Sequence, residues 1–102
     1  MLANMYSMDH LVTLITLEKA RELRFCVGRS PIVVLETGER SLQGPPTSGE
    51  EVERLFRSVA DSRQMRELRK RGAMQFVYTL PNRMPVLVRA KMDGANVAFD
   101  IS

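Results

Sequence analysis

The stretch VLVRAKMDGANVAFDI, residues 86–101, alternates apolar and polar residues on both sides of an Asp-Gly pair, and a period of two admits little besides a β-hairpin. Successive residues of a strand point to opposite faces of its sheet. Taking Asp93-Gly94 as the two-residue turn that its composition favours sets Met92 opposite Ala95, Ala90 opposite Val97, Val88 opposite Phe99 and Val86 opposite Ile101. All eight then share one face, the face expected to meet the core. The other face carries Leu87, Arg89, Lys91, Asn96, Ala98 and Asp100 and is expected to be partly wet. Just upstream, Phe76, Tyr78 and Leu80 alternate with Gln75, Val77 and Thr79, which predicts a further strand reached through a loop over residues 81–85.

The first two thirds of the chain combine helical periodicity with short β-prone runs. Leu11, Val12, Leu14, Ile15, Leu17 and Ala20 cover a broad helical face, predicting a helix from Asp9 to about Leu23 with Ser7 or Asp9 as its cap. Phe25, Val27 and the run Ile32–Leu35 are β-prone and are broken by Gly28 and Pro31. Thr37-Gly38 can turn that run into a partner strand over Glu39–Leu42. After Gly44-Pro45-Pro46, the sequence Ser48-Gly49-Glu50-Glu51 fits a capping box. Val52, Leu55, Phe56, Val59 and Ala60 then recur at the spacing of one helical stripe. Asp61-Ser62 can cap a third helix whose apolar side is only Met65 and Leu68 and which Gly72 ends, so that helix is expected at the surface. The order helix, two or three strands, two helices, three strands predicts an α+β domain. Its sheet is mostly antiparallel, of five or six strands backed by three helices, an architecture of the PAS-like kind.

A length of 102 residues accommodates one domain, expected over 9–102 behind a flexible segment 1–8. Cys26 is the only cysteine, which excludes an internal disulfide and a four-cysteine zinc site and points to a reducing compartment. The start of the chain carries neither a basic leader nor a long apolar run, so the expected location is the cytoplasm with no membrane span. The formal charge of +3 matters chiefly for its position. Between residues 61 and 72, Arg63, Arg66, Arg69, Lys70 and Arg71 oppose only Asp61 and Glu67, so this one segment carries as much net charge as the whole chain.

Several of these segments together resemble the N-terminal domain of the type IV pilus retraction ATPase, a relative of type II secretion and pilus-assembly ATPases. The resemblance rests on Ala20–Phe25, Gly28-Arg29-Ser30-Pro31, Pro46–Val52, Arg63-Gln64-Met65-Arg66-Glu67-Leu68-Arg69-Lys70-Arg71-Gly72, Gln75–Pro81 and Pro85–Val88. It spans about 90 residues in the family's order, and the arginine-rich helix is its most specific part. The family's strand polar residues Ser, Asp and His are replaced by Arg21, Glu22 and Arg24. Its Asp-Phe-Ser becomes Gln75-Phe76-Val77, and the two arginines of its last motif become Pro85 and Leu87. No G-x-x-x-x-G-K-[ST] phosphate loop occurs in these residues. The ending Phe99–Ser102 lies near the place where the family's linker to the motor would begin, so a natural terminus and a fragment both stay open.

Catalysis finds no constellation to rest on. The lone His10 reads as a surface or capping residue. Cys26, between Phe25 and Val27, reads as a small buried strand residue. Glu50, Glu51 and Glu53 read as helix electrostatics. No cofactor or metal is expected. The basic segment has three readings: a solvated face, a protein-docking face formed by Arg63, Arg66, Arg69, Lys70 and Arg71, or a phosphate-binding stripe for nucleic acid or lipid. Against nucleic acid stands the assignment of every Phe and Tyr in the period to the core, which leaves no stacking platform. The resemblance implies docking on a motor ATPase or motility regulator in pilus or secretion machinery, without catalysis. A PAS-like small-ligand sensor and a small nucleic-acid-binding protein are the alternatives. The exposed edges of a small sheet, with the Met1–Met8 segment, leave a homodimer open.

Overall fold

The computed structural model of the chain describes residues 8–42, 44–80 and 82–102, with side chains from residue 13 onward. The segment expected to be flexible over 1–8 lies outside the described residues except for Met8, as do the His10 side chain and Pro81. The elements run α1 Met8–Leu17, β1 Glu22–Phe25, β2 Ile32–Leu35, β3 Gly38–Ser41, α2 Gly49–Arg57, α3 Ser62–Arg71, β4 Ala73–Thr79, β5 Pro85–Asp93 and β6 Asn96–Ile101. One antiparallel sheet holds all six strands in the order β3-β2-β1-β6-β5-β4. This is the expected α+β fold in the expected order, with the optional strand present as β3.

The first helix is shorter than its apolar pattern suggests. It stops at Leu17, Lys19 takes a positive φ of 54°, and the chain enters β1. Leu23 pairs with Val33 on one side and Ile101 on the other and is fully buried. Two more turns of surface helix would forgo that central ladder, and the long-range pairing wins over local propensity.

The closing hairpin keeps its faces but shifts its pairing. Asp93 lies opposite Asn96, Met92 opposite Val97, Ala90 opposite Phe99 and Val88 opposite Ile101, so Gly94-Ala95 forms the turn instead of Asp93-Gly94. Gly94 alone in this turn has a positive φ, 63°, at the first central position, which is the type II′ requirement and spares Asp93 a left-handed backbone. Because each expected partner moves by two residues, parity is conserved and the apolar set still faces the core. Only Ala95 leaves that set, exposed at the turn.

The helices cover one face of the sheet. Ser48 Oγ accepts from Glu51 N at 3.1 Å to start α2, while the Glu51 carboxylate, expected to reach back, is held by Arg54 at 2.6 Å. Val52, Leu55 and Phe56 are fully buried. Phe56 leans on Phe99 with 5.3 Å between ring centroids, and Phe99 stacks on Phe25 at 4.5 Å, so aromatic rings fasten α2 to β6 and β1. The α3 helix is capped by Asp61, whose side chain accepts from Gln64 N at 2.8 Å while Gln64 Oε1 accepts from Asp61 N at 3.0 Å. Met65 and Leu68 are its buried residues, and Gly72, at φ 85°, closes it with a bond to Leu68 O.

Truncating Phe56 to Ala removes the ring that joins α2 to the sheet. The expected loss is about 3–5 kcal/mol, a large share of the roughly 5–15 kcal/mol available to a small domain. Lys91→Gln on the exposed face is expected to stay within about 0.5 kcal/mol. Urea unfolding of the two variants measures both.

Candidate functional site

The basic residues of α3 do not act as one face. Arg69 reaches across to α2 and meets Glu53 at 2.8 Å, and the same carboxylate takes Arg57 at 3.0 Å, so this trio pins α3 to α2. Arg71 pairs with Glu67 one turn back at 2.9 Å. Arg63, Arg66 and Lys70 have no ion pair among the described residues and are all exposed. They fall at i, i+3 and i+7, which places them along the side of α3 away from Met65 and Leu68.

Beside this stripe, the corner between α2 and α3 forms an open groove of about 470 Å³ with Arg57, Arg66 and Arg69 on its walls and Ala60 and Met65 among its lining. The Asp61 carboxylate at its edge is already engaged by Gln64 N. Of the groove's arginines only Arg66 has no ion pair among the described residues, and with Arg63 and Lys70 of the adjoining stripe it offers guanidinium and ammonium donors near a small apolar floor. The arrangement suits carboxylate or phosphate groups carried on a larger surface. Among the described residues, no group of three or more His, Cys, Asp and Glu side chains is placed to hold a metal ion. Cys26 lies one residue past β1 and is half-buried, not the buried strand residue expected.

The sheet face opposite the helices, expected to be polar and partly wet, carries a second charged surface, a network of ion pairs that the assumed register concealed. Glu22 bonds Arg24 and Arg89, each at 2.8 Å; Arg24 continues to Glu39 at 2.9 Å and Arg89 to Asp100 at 2.9 Å. The chain of pairs crosses β3, β1, β6 and β5. Its signal was present, because Arg89 lies directly opposite Asp100. The turn assumed from the sequence set Arg89 against Ala98 and hid the pair. A shallow depression of about 330 Å³ runs along this network beside Lys91 and Ala98. Partial burial pushes the Asp100 carboxyl above its usual range, and the Arg89 hydrogen bond and charge only partly offset that.

Solved structures that share this fold include two motor ATPases. The pilus retraction motor PilT, determined with bound ADP, superposes with a TM-score of 0.82 at 15% identity over 94% of this chain and 28% of its own. The ATPase DotB of Legionella pneumophila superposes with a TM-score of 0.76 at 16% identity, over 92% of this chain and 27% of its own. The chain thus spans little more than a quarter of the motors it matches, and at these identities the likeness is one of fold. The fold expected from the resemblance is the fold observed. No protein-family model matches the chain, and no curated protein sequence matches it. No helix among the described residues is long and apolar enough to cross a membrane.

The Asp100 environment has a measurable sign. Its native pKa lies above the unfolded one, so the native state holds the proton longer and this group's contribution to stability falls as pH rises through that interval. In a carboxyl NMR titration, Asp100 is expected to titrate above ordinary aspartates. Arg89→Ala should move it higher still, because Arg89 is the lowering influence. A downward move in that variant would contradict the assignment.

Proposed function

We propose that this chain is a non-catalytic protein-interaction domain that docks on a motor ATPase of pilus or secretion machinery, or on a regulator of one, through the unpaired stripe Arg63, Arg66 and Lys70. The observation that carries the reading is the division of labour within α3. Arg69 and Arg71 are paired with Glu53 and Glu67, whereas the other three cations are exposed and have no ion pair among the described residues. An exposed ion pair contributes only about 0–1 kcal/mol, so leaving these three unpaired has little folding cost and keeps them available to a partner. The fold shared with PilT and DotB supports a motor as that partner, since the corresponding part of those chains accompanies an ATPase.

The alternatives are less well supported by the packing. On the helix-facing side of the sheet, Leu23, Val33 and Val88 are fully buried in a filled core, where a small-ligand sensor would need room. Phe25, Phe56 and Phe99 are buried against one another and cannot stack on bases.

The test is a pull-down with the pilus- or secretion-type motor ATPase of the same cell. Wild-type chain is expected to recover the motor, and recovery should fall at least tenfold in the variant combining Arg63→Glu, Arg66→Glu and Lys70→Glu. Arg71→Gln, which alters a paired cation, should leave recovery within about twofold. Equal recovery by the triple variant would reject the stripe as the docking face.

A further inference from the structure

We infer that the free edge of β4 is a self-recognition site, through which two copies of this chain join their sheets into one continuous antiparallel sheet. The two edges of the sheet are guarded very differently. The β3 edge is four residues long and carries Glu39 and Arg40, the short, charged form that discourages strand addition. The β4 edge, Ala73-Met74-Gln75-Phe76-Val77-Tyr78-Thr79, is seven residues long with no charge and no proline, and its Val77 is 68% exposed.

The ladder shows which backbone groups are on offer. Met92 N donates to Gly72 O and Leu80 N to Met84 O, both at 2.9 Å, so the even positions of this strand bond toward β5. In an antiparallel ladder the alternate residues then direct N–H and C=O away from the neighbour. Ala73, Gln75, Val77 and Thr79 therefore present four donors and four acceptors to the open edge, and no hydrogen bond to them occurs among the described residues.

A second copy fits this edge without adjustment of register. With Phe76 on the twofold axis, Ala73 lies opposite the partner's Thr79 and Gln75 opposite the partner's Val77. The same pairs recur in reverse, so all eight groups are satisfied and no like charges meet. On the helix side the axis brings the two copies of Phe76 together, flanked by Met74 against the partner's Tyr78. These three residues are each half-buried in the single chain. Beside them the α2–α3 corner and this edge enclose a depression of about 500 Å³, room for the neighbouring side chains. Aromatic pairs at non-hydrogen-bonded positions approach closely and add to a strand pairing. A seven-residue seam corresponds to a weak, concentration-dependent dimer.

This inference is independent of the docking stripe. Light scattering of the full chain between about 1 µM and about 1 mM should show a mass moving from 11.6 kDa toward twice that value. Gln75→Pro removes an outward N–H while sparing the β4–β5 ladder, and it is expected to stay monomeric with an unchanged circular dichroism spectrum. Should that variant unfold, Val77→Lys makes the same test. Combining Arg63→Glu, Arg66→Glu and Lys70→Glu should leave the dimer intact. A wild-type mass fixed at the monomer, with or without slow exchange of the Ala73, Gln75, Val77 and Thr79 amides, would overturn the inference. So would a dimer that survives in a natively folded Gln75→Pro or Val77→Lys, or one that is lost in the charge-reversed variant.

Discussion

Phe56 is the residue through which the helical layer and the sheet become one body. Its ring touches Phe99 at 5.3 Å and Phe76 at 6.2 Å between centroids, and Phe99 in turn stacks on Phe25. Four aromatic residues on α2, β1, β4 and β6 thus form one contiguous cluster. In a domain this small there is no second core to compensate for its loss. The clamp also fixes where α3 can lie, because α3, capped by Asp61, begins at Ser62 only a few residues after α2 ends. The position of the basic stripe is therefore a consequence of a hydrophobic contact made elsewhere.

Charge in this chain serves two purposes, separated in space. Glu22, Arg24, Glu39, Arg89 and Asp100 neutralise one another on the open face of the sheet, and Glu53 holds Arg57 and Arg69 between α2 and α3. These pairs stiffen the frame at small net energetic gain. Arg63, Arg66 and Lys70 have no such partner among the described residues, and they project from a helix whose buried stripe is only Met65 and Leu68. A helix fastened by two apolar residues, one capping box and one bridging carboxylate can present its remaining surface without disturbing the core.

Much of this fold was legible in the sequence because its signals were local. The Asp61 cap, the Gly72 stop and the Val52-Leu55-Phe56 stripe each specify their element within a few residues, and each is found in place. What the sequence left hidden depends on partners far along the chain. Leu23 reads as the end of a helix until Val33 and Ile101 flank it. The Asp93-Gly94 pair suggests one turn, yet a positive φ at Gly94 alone favours the neighbouring one, and that shift decides whether Arg89 meets Ala98 or Asp100. The buried Thr47 was likewise invisible as a fastener. Its hydroxyl lies 2.7 Å from Cys26 O and 2.8 Å from Arg29 O, tying the loop after β1 to the start of α2. Within the candidate site the five basic residues were legible as a group. Their split into paired and unpaired members was not, because Glu53 sits sixteen residues from Arg69 on another helix.

The central claim is that cations left unpaired by the fold meet the partner, while the paired ones only build the frame. The most direct measurement is a backbone amide NMR titration of the labelled chain with the motor ATPase. The account predicts that the largest shifts and broadening map to the amides of α3 around Arg63, Arg66 and Lys70, with Glu22, Arg24 and Asp100 unmoved. Perturbations centred on the Glu22–Arg89–Asp100 face, with α3 silent, would contradict it.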